Sequence, residues 1–349
     1  MQAVWRNSGS LGRWGLAPAL VCVAAIGCLA HTLYSQQPLI QVDVTLVRIP
    51  FVAFSWGGHP LHDLRREELM LSDNGVPQDI KYLWTDVDLP LTVGLLIDVS
   101  KSEGGRLVRT YQSSVKWLLL NIIGHPDRAS LSIVNEQPRL LSDLASSPDE
   151  LAKAVEQIVY EGRTGRPFGE PCLPPESSGR NSTDDCIGTP IWDGVFHLAR
   201  SQFIHVQGRK ALVLLSDGMD LSSSVHGLSS AIEAAEAAGV TVYTIKYADL
   251  CLPSVISEAS SYAKVPQRLV QSLGDRGMQE IAIQTGGRAF TQPRKLESVY
   301  RAIEEDLRSQ YVLAYTPKPS TPPETWHRVD IHIARPRVKL RALARYQMP

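Results

Sequence analysis

Asp98, Ser100 and Ser102 stand two residues apart in "DVSKS", directly after the apolar run "LTVGLLI". In extended backbone alternate residues point to one side, so this spacing aims a carboxylate and two hydroxyls at a common place. Thr189 lies in "GTP", ahead of a helical run, and Asp217 lies in "SDG", after the apolar run "KALVLL". Two carboxylates and three hydroxyls are hard oxygen donors, suited to Mg²⁺, Mn²⁺ or Ca²⁺ and wrong for zinc or copper. Two carboxylates neutralise a dication. Neutral hydroxyls completing the set leave the metal electrophilic toward an incoming acid. Each piece alone is an ordinary turn or helix cap; the three together define a candidate metal site.

Other chemistry is thin. The sequence holds no HExxH, no GxSxG and no phosphate-cradling glycine-rich loop. His59 and His62 fall in a turn-rich stretch with no element to orient them. Ser100 has acids and hydroxyls as neighbours and no histidine close in sequence; only folding could bring His197 or His226 to it. An enzyme is therefore not expected.

The elements that must position these residues follow from periodicity. From Leu91 onward short apolar runs alternate with segments of helical period: "LTVGLLID", "RLVRTYQSSVKWLLLNII", "RASLSIV" with "RLLSDL" placed to pair with it, "SPDELAKAVEQIVY", "TPIWDGVFHLARSQF", "KALVLLSDG", "LSSAIEAAEAAG", "VTVYTIKY", a helix near 265–285, "GGRAF" and "PRKLESVYRAIEEDLRSQ". Ser147, Pro148 and Glu150 form a capping-box signature. Thr189 is placed as a helix cap, with Pro190 at the first helical position. Such alternation predicts an α/β fold with a doubly wound, mostly parallel sheet. Ligands of such sheets bind beyond the carboxyl ends of the strands, where strand order reverses. The flanks read differently. Residues 40–85 are strand-rich, with a hairpin at Asn74-Gly75, and "QYVLAYTP", "WHRVDIHIA" and "RVKLRALARY" are three strand-like runs without a helix between them. Neither flank is large enough to hold a core alone, so the two are expected to pack together.

"DVSKS", Thr189 and "SDG", in that order on alternating βα units, resemble the metal-ion-dependent adhesion site of the von Willebrand factor A (vWA) domain. The resemblance covers roughly residues 90–310. It implies that the hydroxyls of Ser100, Ser102 and Thr189 bind the metal directly, that Asp98 and Asp217 bind it directly or through water, and that one open coordination position takes a partner's Asp or Glu. The flanks "LHDLRREELMLSDNGVPQDI" and "LRSQYVLAYTPKPSTPPETWHRVDIHIARPRVKLRALARY" are similar, more loosely, to exported bacterial VWFA-related proteins of the acidobacterial type. Two departures stand out: Pro190 follows the threonine, and the loop before Thr189 is long.

The expected organisation is residues 1–35 as a signal peptide or N-terminal anchor, 36–88 as a β-rich segment, 89–310 as the vWA domain, and 311–349 as a β segment packing with 36–88. Arg6 and Arg13 precede an uncharged apolar run from Trp14 to Ala30, which reads as an export signal, either cleaved or kept as an anchor. Export permits disulfides. Cys172 and Cys186 share one Pro/Gly/Ser-rich loop and are the expected pair, leaving Cys251 over. At 349 residues, 44% hydrophobic, 20% charged and a net charge of −1, the chain is composed like a globular protein with no overall pull toward nucleic acid or anionic membrane. The expected function is an exported, Mg²⁺-dependent binding or adhesion module that captures a carboxylate of a protein or matrix ligand, with no nucleic-acid partner. The alternatives are a metal-dependent hydrolase and a scaffold with a purely structural metal.

Overall fold

The computed structural model describes residues 46–85, 89–100, 104–124, 126–135, 137–159, 189–218, 220, 223, 225–246, 267–318 and 326–347. Ser102, the export signal and all five cysteines lie outside the described residues, and so does the expected Cys172–Cys186 pair.

The chain opens with β1 (Val47–Ser55), β2 (Leu69–Asp73), β3 (Val76–Gln78) and β4 (Ile80–Thr85). β2 and β3 form a hairpin whose turn residues Asn74 and Gly75 both have positive φ, 48° and 78°. That is the geometry that matches strand twist in a two-residue loop, and it explains the Asn-Gly pair.

Six strands then build the central sheet: β5 (Leu91–Asp98), β6 (Arg128–Val134), β7 (Pro138–Ala145), β8 (Arg209–Ser216), β9 (Thr241–Lys246) and β10 (Ala289–Thr291). Their order is β10-β9-β8-β5-β6-β7, parallel throughout except for β7 at the edge. Helices α1 (Gly104–Asn121), α2 (Pro148–Glu156), α3 (Ile191–Leu198), α4 (Leu228–Ala238), α5 (Gln267–Gln284) and α6 (Leu296–Arg308) cover it. Val93, Leu95 and Ile97 pack with α1, α2 and α6 on one face, while Leu96, Leu212 and Leu214 pack with α3, α4 and α5 on the other. The strands are thus apolar on both sides because both sides are covered. Every residue of β5 is buried, and each Leu or Ile so buried contributes about 1.5–3 kcal/mol. This makes β5 a rigid post for whatever its tip carries.

Leaving α6, the chain enters β11 (Tyr311–Tyr315), β12 (Trp326–Ile333), β13 (Val338–Ala342) and β14 (Arg345–Gln347). These pair with the first four strands in two antiparallel four-stranded sheets, β13-β1-β11-β4 and β14-β12-β2-β3. Ile49, Phe51, Leu71, Leu313 and Val329 fill the core between the sheets. Arg209 at the start of β8, almost wholly buried, donates to the carbonyls of Leu89, just before β5, and Leu307 on α6. Arg345 donates to buried Glu236 on α4 at 2.7 Å, and Arg341 to Asp306 on α6 at 2.7 Å.

Thr189, expected as a helix cap, does not occupy the capping position of α3. The capping position of α3 falls on Pro190, and Thr189 instead forms a parallel bridge with Asp220. Proline has no side-chain acceptor for the first turn; the Asp220 carboxylate accepts the Trp192 N–H instead.

Candidate functional site

β5 and β8 are neighbours in the sheet, with Ile97 opposite Leu215. Numbering along the sheet runs outward from this pair, to β6 on one side and β9 on the other. Strand order therefore reverses between them, and their carboxyl ends flank the crevice where such sheets bind ligands. Asp98 ends β5, and Asp217 follows β8 by one residue.

Asp98 is fully buried. One carboxylate oxygen accepts the Ser100 N–H at 2.9 Å, and the other accepts the Ser216 hydroxyl at 2.7 Å. The Ser216 hydroxyl oxygen also accepts the Gly218 N–H at 3.0 Å, so a single side chain ties the turn carrying Asp217 to Asp98. Burial, and after it the charge of Asp217, pushes the Asp98 carboxyl up to about 7, against the hydrogen bonds from Ser100 and Ser216 that favour its ionised form. Ser100 and Asp217 are both buried, at 6% and 9% exposure. Two acids are thus held together out of water, a state that a dication between them would reverse from unfavourable to favourable.

Thr189 is 6% exposed and forms a parallel bridge with Asp220, three residues after Asp217. The Asp220 carboxylate accepts the Trp192 N–H at 2.9 Å, capping α3, and the Ser223 N–H at 2.9 Å. Ser223 Oγ accepts the Asp193 N–H at 3.2 Å, and Asp193 Oδ1 accepts the His226 N–H at 2.7 Å. These bonds lace Asp220, Ser223 and His226 to the first turn of α3, the helix that follows Thr189. Asp220, Ser223 and Asp193 were not singled out in the sequence. The available signal was "DLSS", an acid followed three residues later by a serine, which is a local turn pattern.

Glycine supplies the remaining support. Gly218 has φ +81°, and a Cβ there would stand 2.9 Å from the carbonyl oxygen of Gly274 on α5. A Cβ on Gly277, one turn along α5, would meet the Trp192 ring at 2.8 Å. The helix therefore lies directly against both the Asp217 turn and α3.

The donor set among the described residues, Asp98, Ser100, Thr189 and Asp217, is carboxylate and hydroxyl oxygen only, which fits a hard divalent cation. No group of three or more His, Cys, Asp or Glu among the described residues is arranged to hold a metal. His197 and His226 come together, ring centroids 5.7 Å apart, but Phe196 stacks on His226 at 3.5 Å and the three form an aromatic cluster. His59 and His62 are exposed.

No protein-family model matches the sequence, and no curated protein does. Among solved structures the fold is similar to an aerotolerance-related membrane protein from Bacteroides fragilis, at 15% identity and a TM-score of 0.43, over 62% of this chain and 98% of that one. It is also similar to the vWF domain of the type V pili tip protein Mfa5 from Porphyromonas gingivalis, at 13% identity and 0.42, over 62% and 94%. A third likeness is to proximal thread matrix protein 1 from the mussel byssus with a zinc-occupied MIDAS motif, at 12% identity and 0.44, over 68% of this chain and 50% of that one. At such identities and scores the likeness carries no inference about function.

Proposed function

We propose that the chain is a divalent-cation-dependent binding module of the vWA type, in which Asp98, Ser100, Ser102, Thr189 and Asp217 hold one Mg²⁺, with Mn²⁺ or Ca²⁺ as substitutes. The observation that carries the reading is the burial of Asp98 beside Asp217 at the strand-order reversal, with Asp98 supported by hydrogen bonds from neutral donors. When bound, the cation offers a Lewis-acidic position to an oxygen ligand. The protein's own part is to fix the two carboxylates, orient the hydroxyls and keep competing water off the buried side. The partner is a protein or matrix component that presents an Asp or Glu carboxylate.

In this reading residues 89–310 form the binding domain, while 36–88 and 311–349 form the sandwich that carries it. Residues 1–35 direct export, which would place the module in the periplasm, on the cell surface or outside the cell. No helix of the described residues is long and apolar enough to cross a membrane. In this reading the site binds its ligand rather than turning it over.

The test is a titration of chelator-stripped protein with Mg²⁺ or Mn²⁺, followed by melting temperature. Saturation is expected to raise it by several degrees, and Asp98→Ala or Asp217→Ala to abolish the rise. Recovery of an envelope protein with Mg²⁺ but not with chelator, lost in Asp98→Ala, would identify the partner. A flat titration would refute the metal reading.

A further inference from the structure

A groove of about 430 Å³ opens between α1 and α6, lined by Arg109, Thr110, Ser113, Arg294, Lys295 and Glu297 among others. It lies at the same end of the sheet as Asp98 and Asp217. α1 begins six residues after Asp98, and Arg109 stands about 7.5 Å along it at 1.5 Å per residue. α6 follows the carboxyl end of β10, and Arg294 and Lys295 occupy the turn into it. Three cations and three hydroxyls thus face one another at the strand-tip end of the sheet, with Glu297 the one acid in the lining. Arg109, Arg294 and Lys295 are exposed, and no described acid forms an ion pair with any of them. Elsewhere the described cations divide: exposed Lys116, Lys153 and Arg276 form no ion pair with a described acid either, so what marks this groove is that three such cations gather in it. Arg335, Arg345, Arg341, Arg308, Lys318 and Lys246 all carry an acidic partner. Within this one groove Arg109, Arg294 and Lys295 gather without an acidic partner among the described residues.

We infer that the groove between α1 and α6 receives an acidic peptide segment of the same partner whose carboxylate binds the metal. This rests on the carboxylate-capturing reading above and adds the partner's chemistry: not one isolated acid but an acidic run. One carboxylate on a metal anchors without selecting, because every protein surface offers one. Further acids spaced along an extended segment, at about 3.3 Å per residue, would meet Arg109 and then Arg294 and Lys295. Complementary charge at the rim of an interface selects partners and speeds encounter more than it deepens affinity.

The test uses the full chain and two labelled peptides of equal length, an oligo-glutamate and a Gly/Ser peptide bearing a single Glu. Binding is followed by fluorescence anisotropy with Mn²⁺ and with chelator, and Mn²⁺ affinity is measured separately by calorimetry. With Mn²⁺ the oligo-glutamate is expected to bind more tightly than the single-Glu peptide. R109E and R294E are each expected to weaken it roughly threefold to tenfold while leaving the single-Glu peptide and Mn²⁺ affinity unchanged. Added salt should remove the advantage. Equal binding of the two peptides by the wild type would overturn the groove, as would variants that bind oligo-glutamate like the wild type. So would an oligo-thymidylate of equal charge competing as well as the peptide, since the groove would then be a general polyanion surface. Absence of Mn²⁺ binding by calorimetry overturns the carboxylate-capturing reading instead. Groove-dependent peptide binding persisting in chelator would then leave the acidic-segment site standing.

Discussion

A Cβ placed on Gly274 of α5 would stand 3.2 Å from the carbonyl oxygen of Asp217 and 3.0 Å from that of Gly218. The obstacle is backbone, which cannot swing aside as a side chain would. Gly274→Ala must therefore move either the helix or the turn that aims Asp217. In the helix itself the change favours folding by up to about 1 kcal/mol, and the clash opposes it by about 1–3 kcal/mol, so stability alone is a poor readout. Metal affinity is the informative one. Mn²⁺ binding by calorimetry is expected to weaken roughly tenfold in Gly274→Ala. Gly277→Ala, which meets the Trp192 ring rather than the Asp217 turn, should cost less.

Asp98 tests the electrostatics from the other direction. Its carboxyl is pushed up because burial and Asp217 both oppose its charge. Asn is nearly isosteric and keeps one oxygen as an acceptor. In chelator at pH 8, Asp98→Asn is expected to stabilise the protein by about 1–3 kcal/mol, read from urea unfolding. With Mg²⁺ the order should invert, the wild type gaining stability and the variant gaining none. A variant that is less stable than wild type in both conditions would show that the carboxylate is a structural hydrogen-bond acceptor and nothing more.

The local signals named the post and its tip but not the lacing around them. β5, β8 and their terminal acids were legible because a strand buried on both faces leaves an unbroken apolar run ending at the first polar residue. The hairpin at Asn74-Gly75 was legible because its turn type demands those residues. Thr189 was read as a cap because threonine before proline suits that role locally. Asp220 takes the Trp192 amide from 28 residues away, and no local pattern announces that. Likewise "RVKLRALARY" reads as one strand but divides into β13 and β14, which belong to different sheets. The break falls where the Ala344 N–H leaves the strand to bond Gln284 O at the end of α5, a tertiary bond outweighing local β preference.

Asp220 offers a way to separate Thr189 from its support. Asp220→Ala removes the acceptor for the Trp192 and Ser223 amides and should cost about 1–2 kcal/mol, as loss of a helix cap does. Because the bridge to Thr189 is main chain, the variant does not remove the threonine; it loosens the segment presenting it. Mn²⁺ affinity should fall several-fold. Asp220→Asn, which keeps an oxygen acceptor, should recover most of both losses. Unchanged Mn²⁺ affinity in Asp220→Ala would mean that the lacing from Asp220 to Ser223 does not position the site.

The sandwich has its own titration, in a sheet pair separate from the one that ends at Asp98. Asp73 and His327 are fully buried and meet at 2.8 Å, and the second oxygen of Asp73 accepts the hydroxyls of Tyr315 and Tyr346, each at 2.8 Å. Tyr315 lies on β11 in one sheet, and the other three lie on β2, β12 and β14 in the second, so the cluster pins sheet to sheet. Burial first, and then the hydrogen bonding and charge of Tyr346 and Asp73, holds the Tyr315 hydroxyl protonated well above the ordinary tyrosine range; burial does the same for Tyr346. In the unfolded chain both release protons near pH 10. Above that pH the folded state binds more protons than the unfolded one, so stability falls as pH rises, while below it the contribution is fully present. Melting temperature is therefore expected to hold level up to about pH 9 and then drop steeply, with phenolate absorbance from this pair appearing only as the protein unfolds. Tyr315→Phe should lower stability at pH 7 by about 1–2 kcal/mol, the cost of a buried hydrogen bond, and should make the alkaline drop shallower. An equally steep drop in Tyr315→Phe and Tyr346→Phe would assign the alkaline transition to other groups.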